Sequence, residues 1–196
     1  RRQRQMCIRD RDNHPIENIR INDLSEKTGY VPQDNFLFSE SLRENIAFSY
    51  EKDYDVDEVY DAAKKSGVYN DIMDFKNDFD TVIGERGVTL SGGQKQRVSI
   101  ARALIKNPSL LVLDDSLSAV DTNTEKSILD ALDKIHATEV IIAHRISTIK
   151  SCDEIIFLED GHIKERGTHE ELVKLDGEYN KMYQNQLLED ELKGEF

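Results

Sequence analysis

The chain alternates between short, uninterrupted apolar runs and longer stretches in which apolar residues recur every three or four positions. Thr28–Val31 is a short β run closed by Pro32. Helical spacing follows over Asp57–Ser66 and Asn70–Phe75, in an acidic segment. Ser91 opens a longer helical stretch that reaches Ile105 and is closed by Asn107-Pro108, since the residue before a proline is pushed out of the α region. Leu110–Leu113 is apolar throughout, the pattern of a buried parallel strand. Thr122–His136 reads as helix, and Val140–Ala143 and Ile155–Leu158 as two further strands. Asp160-Gly161 is a strong hairpin turn leading into Ile163-Lys164-Glu165, and a last helix is predicted over Glu178–Leu188. Alternation of strand and helix predicts an α/β domain with a mainly parallel sheet, plus a helical subdomain over about residues 50–95.

The first twelve residues do not share this pattern. They hold five arginines among polar residues, show no periodicity and lack the apolar stretch of a secretory signal. They resemble a translated adaptor, so native sequence is expected to begin near Asn13, and no function is assigned to residues 1–12. The expected organisation is a non-native or disordered leader over 1–12, one domain over 13–188 and a tail over 189–196.

Composition narrows the class. Among 196 residues, 38% are hydrophobic and 33% charged, as in an ordinary globular chain. The 26 Lys and Arg against 39 Asp and Glu leave a net charge of −13, which argues against a nucleic-acid partner. No apolar run approaches the ~20 residues that a membrane-spanning helix needs. Cys7 and Cys152 stand far apart with no CxxC or histidine cluster nearby, so neither a disulfide frame nor a zinc site is expected.

Two segments carry candidate chemistry. Leu90-Ser91-Gly92-Gly93-Gln94 immediately precedes a helix. Ser91 is a favourable N-cap, the glycines allow close approach of a ligand, and the free N–H groups at the helix start favour an anion. A plain capped helix would look the same from the Gly-Gly alone. Leu110-Leu111-Val112-Leu113-Asp114-Asp115 describes a buried strand delivering carboxylates to its C-terminal edge, where open α/β sheets bind ligands.

With the residues that follow it, Lys95-Gln96-Arg97-Val98-Ser99-Ile100-Ala101-Arg102-Ala103, the Ser91–Gln94 segment resembles the signature sequence of ATP-binding-cassette (ABC) ATPases. The resemblance covers about residues 13–188 and implies a truncated ABC-ATPase core of the phosphate-loop NTPase type. It implies ATP and Mg²⁺ as ligands, with Ser91, Gly92, Gly93, Gln94 and Asp121 at the nucleotide. Asp114 takes the Walker B position and holds Mg²⁺. Tyr30-Val31-Pro32-Gln33-Asp34 resembles the Q-loop, placing Gln33 at Mg²⁺ and the attacking water. Ser118-Ala119-Val120-Asp121 resembles the D-loop, and His144 the switch histidine at the γ-phosphate. Asp115 stands where fully active sites carry glutamate, one methylene longer. This resembles the degenerate half of heterodimeric exporters. Val82-Ile83-Gly84-Glu85-Arg86-Gly87 and Phe38–Ile46 resemble exporter segments, with Gly84, Glu85 and Arg86 expected to touch helices of a transmembrane domain.

The sequence contains no G-x-x-x-x-G-K-[ST]. The loop and the adenine-stacking aromatic are expected upstream, together with transmembrane spans. The chain alone is therefore expected to bind ATP weakly, to hydrolyse nothing and to be marginally stable. The intact protein is expected at the cytoplasmic face of a membrane as part of an integral transporter, paired with a second ABC ATPase domain. A soluble ABC ATPase and an importer subunit are the alternatives. Nothing in the sequence names a cargo.

Overall fold

The computed structural model describes residues 10–11, 14–48, 53–84 and 88–193. Three parallel strands form its centre: β3 (Thr28–Val31), β4 (Leu110–Asp114) and β5 (Thr138–Ile142), hydrogen-bonded in the order β3-β4-β5. The register sets Tyr30 opposite Val112 and Val112 opposite Val140, and it pairs Asp114 with Ile142. Two antiparallel pairs complete the strands. β1 (Asp10–Arg11) pairs with β2 (His14–Pro15), and β6 (Ile155–Glu159) with β7 (His162–Gly167) through the Asp160-Gly161 turn. Both turn residues have positive φ, 50° and 74°, as a tight hairpin with right-twisted strands requires.

Strand alternation sends one set of side chains to each face of the central sheet. Val31, Leu111 and Leu113 point inward and pack with Ile100 and Leu104 of α5 (Gly92–Leu104) and Ile128 and Leu132 of α6 (Thr122–Leu132). The other face is open: Tyr30, Val140 and Ile142 are each about half exposed. A second cluster joins the opposite side of α5, through Val98 and Ala101, to α2 (Leu42–Ile46), α3 (Val56–Lys65) and α4 (Tyr69–Met73). Helix α5 is thus the shared wall between a sheet layer and a small helical layer. A third cluster lies around α7 (Ile146–Ile149), β6, α8 (His169–Leu175) and α9 (Glu178–Lys193), with Ile146, Ile155, Leu172 and Tyr179 fully covered.

The expected α/β class with a parallel central sheet is what the chain adopts. Boundaries shift in instructive ways. Helix α6 stops at Leu132, short of His136, and the chain turns through Asp133–Ile135 into β5. Helix α9 runs to Lys193, past Leu188 and into the expected tail. Helices α1 (Ile21–Glu26), α2, α7 and α8 are too short for a periodic signal. Three of the short or insert helices begin with reciprocal capping boxes: Ser41 with Glu44, Asp55 with Glu58, and Thr168 with Glu171. Of the expected leader, residues 1–9 and 12 lie outside the described residues, as do Glu85 and Arg86. Gly84 is described; its φ of 119° and a would-be Cβ 2.5 Å from Ser39 Oγ leave room for glycine alone.

Candidate functional site

Parallel pairing brings three strand ends to one edge. Gln33 follows β3 by two residues, Asp114 and Asp115 end β4, and His144 follows β5 by two residues. Gln33 Nε2 donates to Asp115 Oδ2 at 3.3 Å, and Tyr30 Oη donates to Asp114 Oδ2 at 3.3 Å. Partial desolvation, then the Asp114 carboxylate, pushes the Tyr30 phenol above its ordinary range. Between β4 and β5 lies a cleft of about 110 Å³, lined by Asp115, Ser118, His144, Arg145 and Thr148 among others.

Asp115 occupies the left-handed region, φ 45°, which aspartate tolerates better than most residues. Its N–H donates to the Ile142 carbonyl at 2.8 Å, and its own carbonyl accepts from Ser118 Oγ at 2.9 Å. The bend re-aims the chain after β4, so Asp114 and Asp115 face different surroundings: the first meets Tyr30 on the open sheet face, the second meets Gln33 and the cleft. Backbone strain of this kind concentrates at sites that act on ligands. The Asp114 carboxylate is an oxygen ligand of the kind a hard cation takes, with phosphate and water oxygens completing the shell. Among the described residues, no group of three or more His, Cys, Asp or Glu side chains could hold a metal by itself.

Ser91 caps α5 as its sequence promises. Its Oγ accepts from Gln94 N–H, and Gln94 Oε1 accepts from Ser91 N–H at 3.0 Å. Gln94 Nε2 donates to Asp71 Oδ1 at 3.0 Å, so that side-chain amide is engaged within the chain. Asp71 also holds Arg97 through Nη1 at 2.7 Å and Nη2 at 3.1 Å, tying the helix start to α4. Asp121 likewise has an internal role, since its carboxylate caps α6 by accepting from Thr124 N–H at 3.0 Å. That bond holds its carboxyl below the usual range. At the α5 start Ser91, Gly92 and Lys95 are exposed, with Gly93 half-buried.

Helix α5 and the loop after β4 interlock. Gln96, almost fully buried, accepts from Ala119 N–H at 3.0 Å. A Cβ on Gly93 would stand 2.7 Å from the Ala119 carbonyl oxygen, whereas one on Gly92 would meet only Ala119 Cβ, at 3.7 Å. Gly93→Ala is therefore expected to destabilise the fold by about 1–3 kcal/mol through overpacking against backbone, and Gly92→Ala to change it by a few tenths at most. Thermal unfolding of the two variants checks this difference.

Sequence patterns alone did not single out Asp71, Glu125 and Arg145. The Glu125 side chain is buried on α6 yet ionisable; it accepts from Arg145 Nη1 at 2.9 Å and from the Thr148 hydroxyl. Arg145 Nη1 also lies 3.4 Å from the Val120 carbonyl. This network joins the segment 118–121 to the residues after His144. An i, i+3/i+4 apolar pattern marks Ile128 and Leu132 on α6 but gives no hint that a carboxylate shares their buried face.

The layered parallel sheet, with its polar side chains at the carboxyl ends of adjacent strands, is the arrangement of an α/β ligand-binding domain. The family profile described as ABC transporter matches residues 6–118, more than half of the chain. The uncharacterized ABC transporter ATP-binding protein YfiB of Bacillus subtilis is 46% identical over 175 residues, covering 89% of this chain and 30% of that protein. A putative multidrug export ATP-binding/permease protein of Staphylococcus aureus is 45% identical over 179 residues, covering 90% and 31%. Among solved structures, a bacterial Atm1-family ABC exporter with ATP bound superposes with a TM-score of 0.83 at 41% identity, over 89% of this chain and 31% of that one. The chain belongs to the ABC transporter family. It spans about 30% of the length of these relatives.

Proposed function

We propose that this chain is part of the nucleotide-binding domain of an ABC exporter, coupling MgATP binding and hydrolysis to movement of a substrate across a membrane. The observation that carries this reading is the single sheet edge that gathers Gln33, Asp114, Asp115 and His144 from three adjacent strands. Catalysis of phosphoryl transfer rests on positioning and charge stabilisation more than on covalent chemistry, so a rigid edge of this kind suits it. Asp114 holds the Mg²⁺ of the incoming MgATP, Gln33 and Asp115 orient the attacking water, and His144 donates to the γ-phosphate.

The signature residues sit apart from this cleft. Ser91, Gly92 and Gly93 do not line it, and Gly93 packs on the Ala119 backbone. They serve a second nucleotide, bound across a head-to-tail interface with another ABC ATPase domain. Because Asp115 is one methylene shorter than glutamate, this chain supplies the slower of two unequal sites in a heterodimer. The open sheet face at Tyr30, Val140 and Ile142 offers a surface for a covering helix, such as one that follows a phosphate-binding loop.

An aromatic patch supports contact with a transmembrane domain. Phe36 is 68% and Phe48 49% exposed; Phe38 stacks on Phe48 at 4.5 Å and meets Phe36 edge-on at 5.0 Å. The Arg102 guanidinium lies 5.6 Å from the Phe38 ring while its Nε donates to the Asn45 carbonyl at 2.7 Å, which fixes the patch to α5. Clustered exposed aromatics mark interaction surfaces. Ile83 N–H bonds Glu40 O at 3.1 Å, so Gly84 adjoins the same surface. Among the described residues, no helix is long and apolar enough to cross a membrane.

The test is hydrolysis by the full-length protein in lipid vesicles. ATP turnover that requires Mg²⁺ is expected; no turnover above that of empty vesicles would overturn the reading.

A further inference from the structure

Helix α9 reaches the histidine loop with one polar side chain. Gln186 Nε2 donates to the His144 carbonyl oxygen at 2.7 Å, and Gln186 Oε1 accepts from Ile146 N–H at 2.8 Å. The orientation of the amide is forced, because a carbonyl only accepts and a backbone N–H only donates. The two bonds straddle Arg145, so one side-chain amide plays the part of a neighbouring strand for a loop that has just left β5. Both distances are at the short end of the usual range.

The rest of α9 does not need this contact in order to dock. Tyr179 is buried beside Ile146, Ile155 and Leu172, with Met182 and Tyr183 packed against them. Tyr179 Oη lies 2.8 Å from His169 Nδ1, and Glu165 accepts from the N–H groups of Glu178 and Tyr179. Positions 179, 182, 183 and 186 share one helical face. The apolar members anchor the helix, and Gln186, the next position on that face, lands on the loop backbone. Below the loop, Ile146 is 1% exposed, and Arg145 is drawn towards Glu125. The His144 imidazole is left exposed at the cleft on a backbone held from both sides.

We propose that Gln186 is a positioning residue for His144: it sets the loop posture that presents the imidazole, and so makes the competence of the site depend on the seating of the C-terminal helix. The inference rests on the reading that His144 donates a hydrogen bond to the γ-phosphate. Displacing α9 withdraws both bonds at once and frees the loop while leaving Asp114, Asp115 and Gln33 in place.

The experiment uses the full-length protein, with and without Asp115→Glu, and reads ATP hydrolysis, melting temperature and hydrogen exchange. Gln186→Leu removes both bonds while keeping helix propensity. Gln186→Glu keeps the acceptor for Ile146 N–H and sets a carboxylate against the His144 carbonyl. Gln184→Leu, on the exposed side of the same helix, is the control. Misplacement of a reacting group by about 1 Å can cost roughly a hundredfold, and a partial shift is expected here, so kcat should fall about tenfold in both Gln186 variants. KM for MgATP should change less than kcat, melting should match that of Gln184→Leu, and exchange at the Ile146 amide should accelerate in Gln186→Leu. An unchanged kcat in Gln186→Leu with that amide exposed would overturn the proposal. Loss of kcat only in proportion to a lowered melting temperature would overturn it too, reducing the contact to scaffolding. His144→Ala is measured alongside. If it keeps the parent kcat, the functional reading of the histidine fails; if it loses activity while Gln186→Leu does not, only the positioning role fails.

Discussion

Replacing Asp115 with glutamate is expected to raise ATP hydrolysis at this chain's own nucleotide site by up to about a hundredfold, since a displacement of roughly 1 Å in a positioned group has that leverage. The argument starts from the backbone. Asp115 N–H is fixed to the Ile142 carbonyl at 2.8 Å and its carbonyl to Ser118 Oγ, so the main chain cannot advance to compensate for a short side chain. The carboxylate reaches Gln33 Nε2 at only 3.3 Å, a long contact for a charged acceptor. One more methylene extends it toward the cleft shared with His144. A cost accompanies the gain: glutamate tolerates the left-handed φ of 45° less well than aspartate, so stability should fall by about 1 kcal/mol. The rate is read with the opposing site silenced. A rate unchanged by the substitution would show that carboxylate reach does not limit this site, and the proposal of two unequal sites would lose its basis.

Arg145→Ala is expected to be the most destabilising single truncation near the site, by about 3 kcal/mol, because it strands a buried carboxylate. Glu125 has a side chain 4% exposed, and its partners are the Arg145 guanidinium and the Thr148 hydroxyl. Arg145 itself is 45% exposed and would rehydrate readily, so the penalty falls on the acid that cannot. At roughly 2–4 °C per kcal/mol for a chain of this length, melting should drop by about 10 °C. The diagnostic is a reversal: adding Glu125→Gln to Arg145→Ala should restore part of the loss, since a neutral amide is cheaper to bury unpaired than a carboxylate. A double variant less stable than Arg145→Ala would mean that the pair contributes as packing and not as charge compensation.

Much of the site was legible because it is written locally. Ser91 announces itself as a cap, Gly92-Gly93 as backbone that something approaches, and Leu110–Leu113 followed by Asp114 as a strand with an acid at its end. The cap, the helix from Gly92 to Leu104 and the strand ending at Asp114 all stand where the sequence puts them. The short helices were not read from the sequence, because five to seven residues give no period; their capping boxes at Ser41 with Glu44 and Thr168 with Glu171 emerge from the structure. What could not be read was the second duty of residues already assigned one. Gln94 and Asp121 carry side chains that resemble ligand contacts, yet their polar groups are engaged by Asp71 and by the Thr124 N–H.

The sequence by itself determined the class of fold and the order of the main strands and longer helices, because hydrophobic period and capping act over a few positions. Gln33 and His144, by contrast, were marked by resemblance to the family and not by any local pattern. Only the tertiary structure decided the pairings that join distant segments: Gln33 with Asp115, Glu125 with Arg145, Gly93 against Ala119, and Gln186 with the backbone around His144. These partners stand from 20 to 82 residues apart, and no local pattern encodes which of many exposed polar side chains will be folded onto which. Their geometry follows from how α5, α6 and α9 pack on the sheet and the residues leaving it, and packing is a property of the whole chain at once.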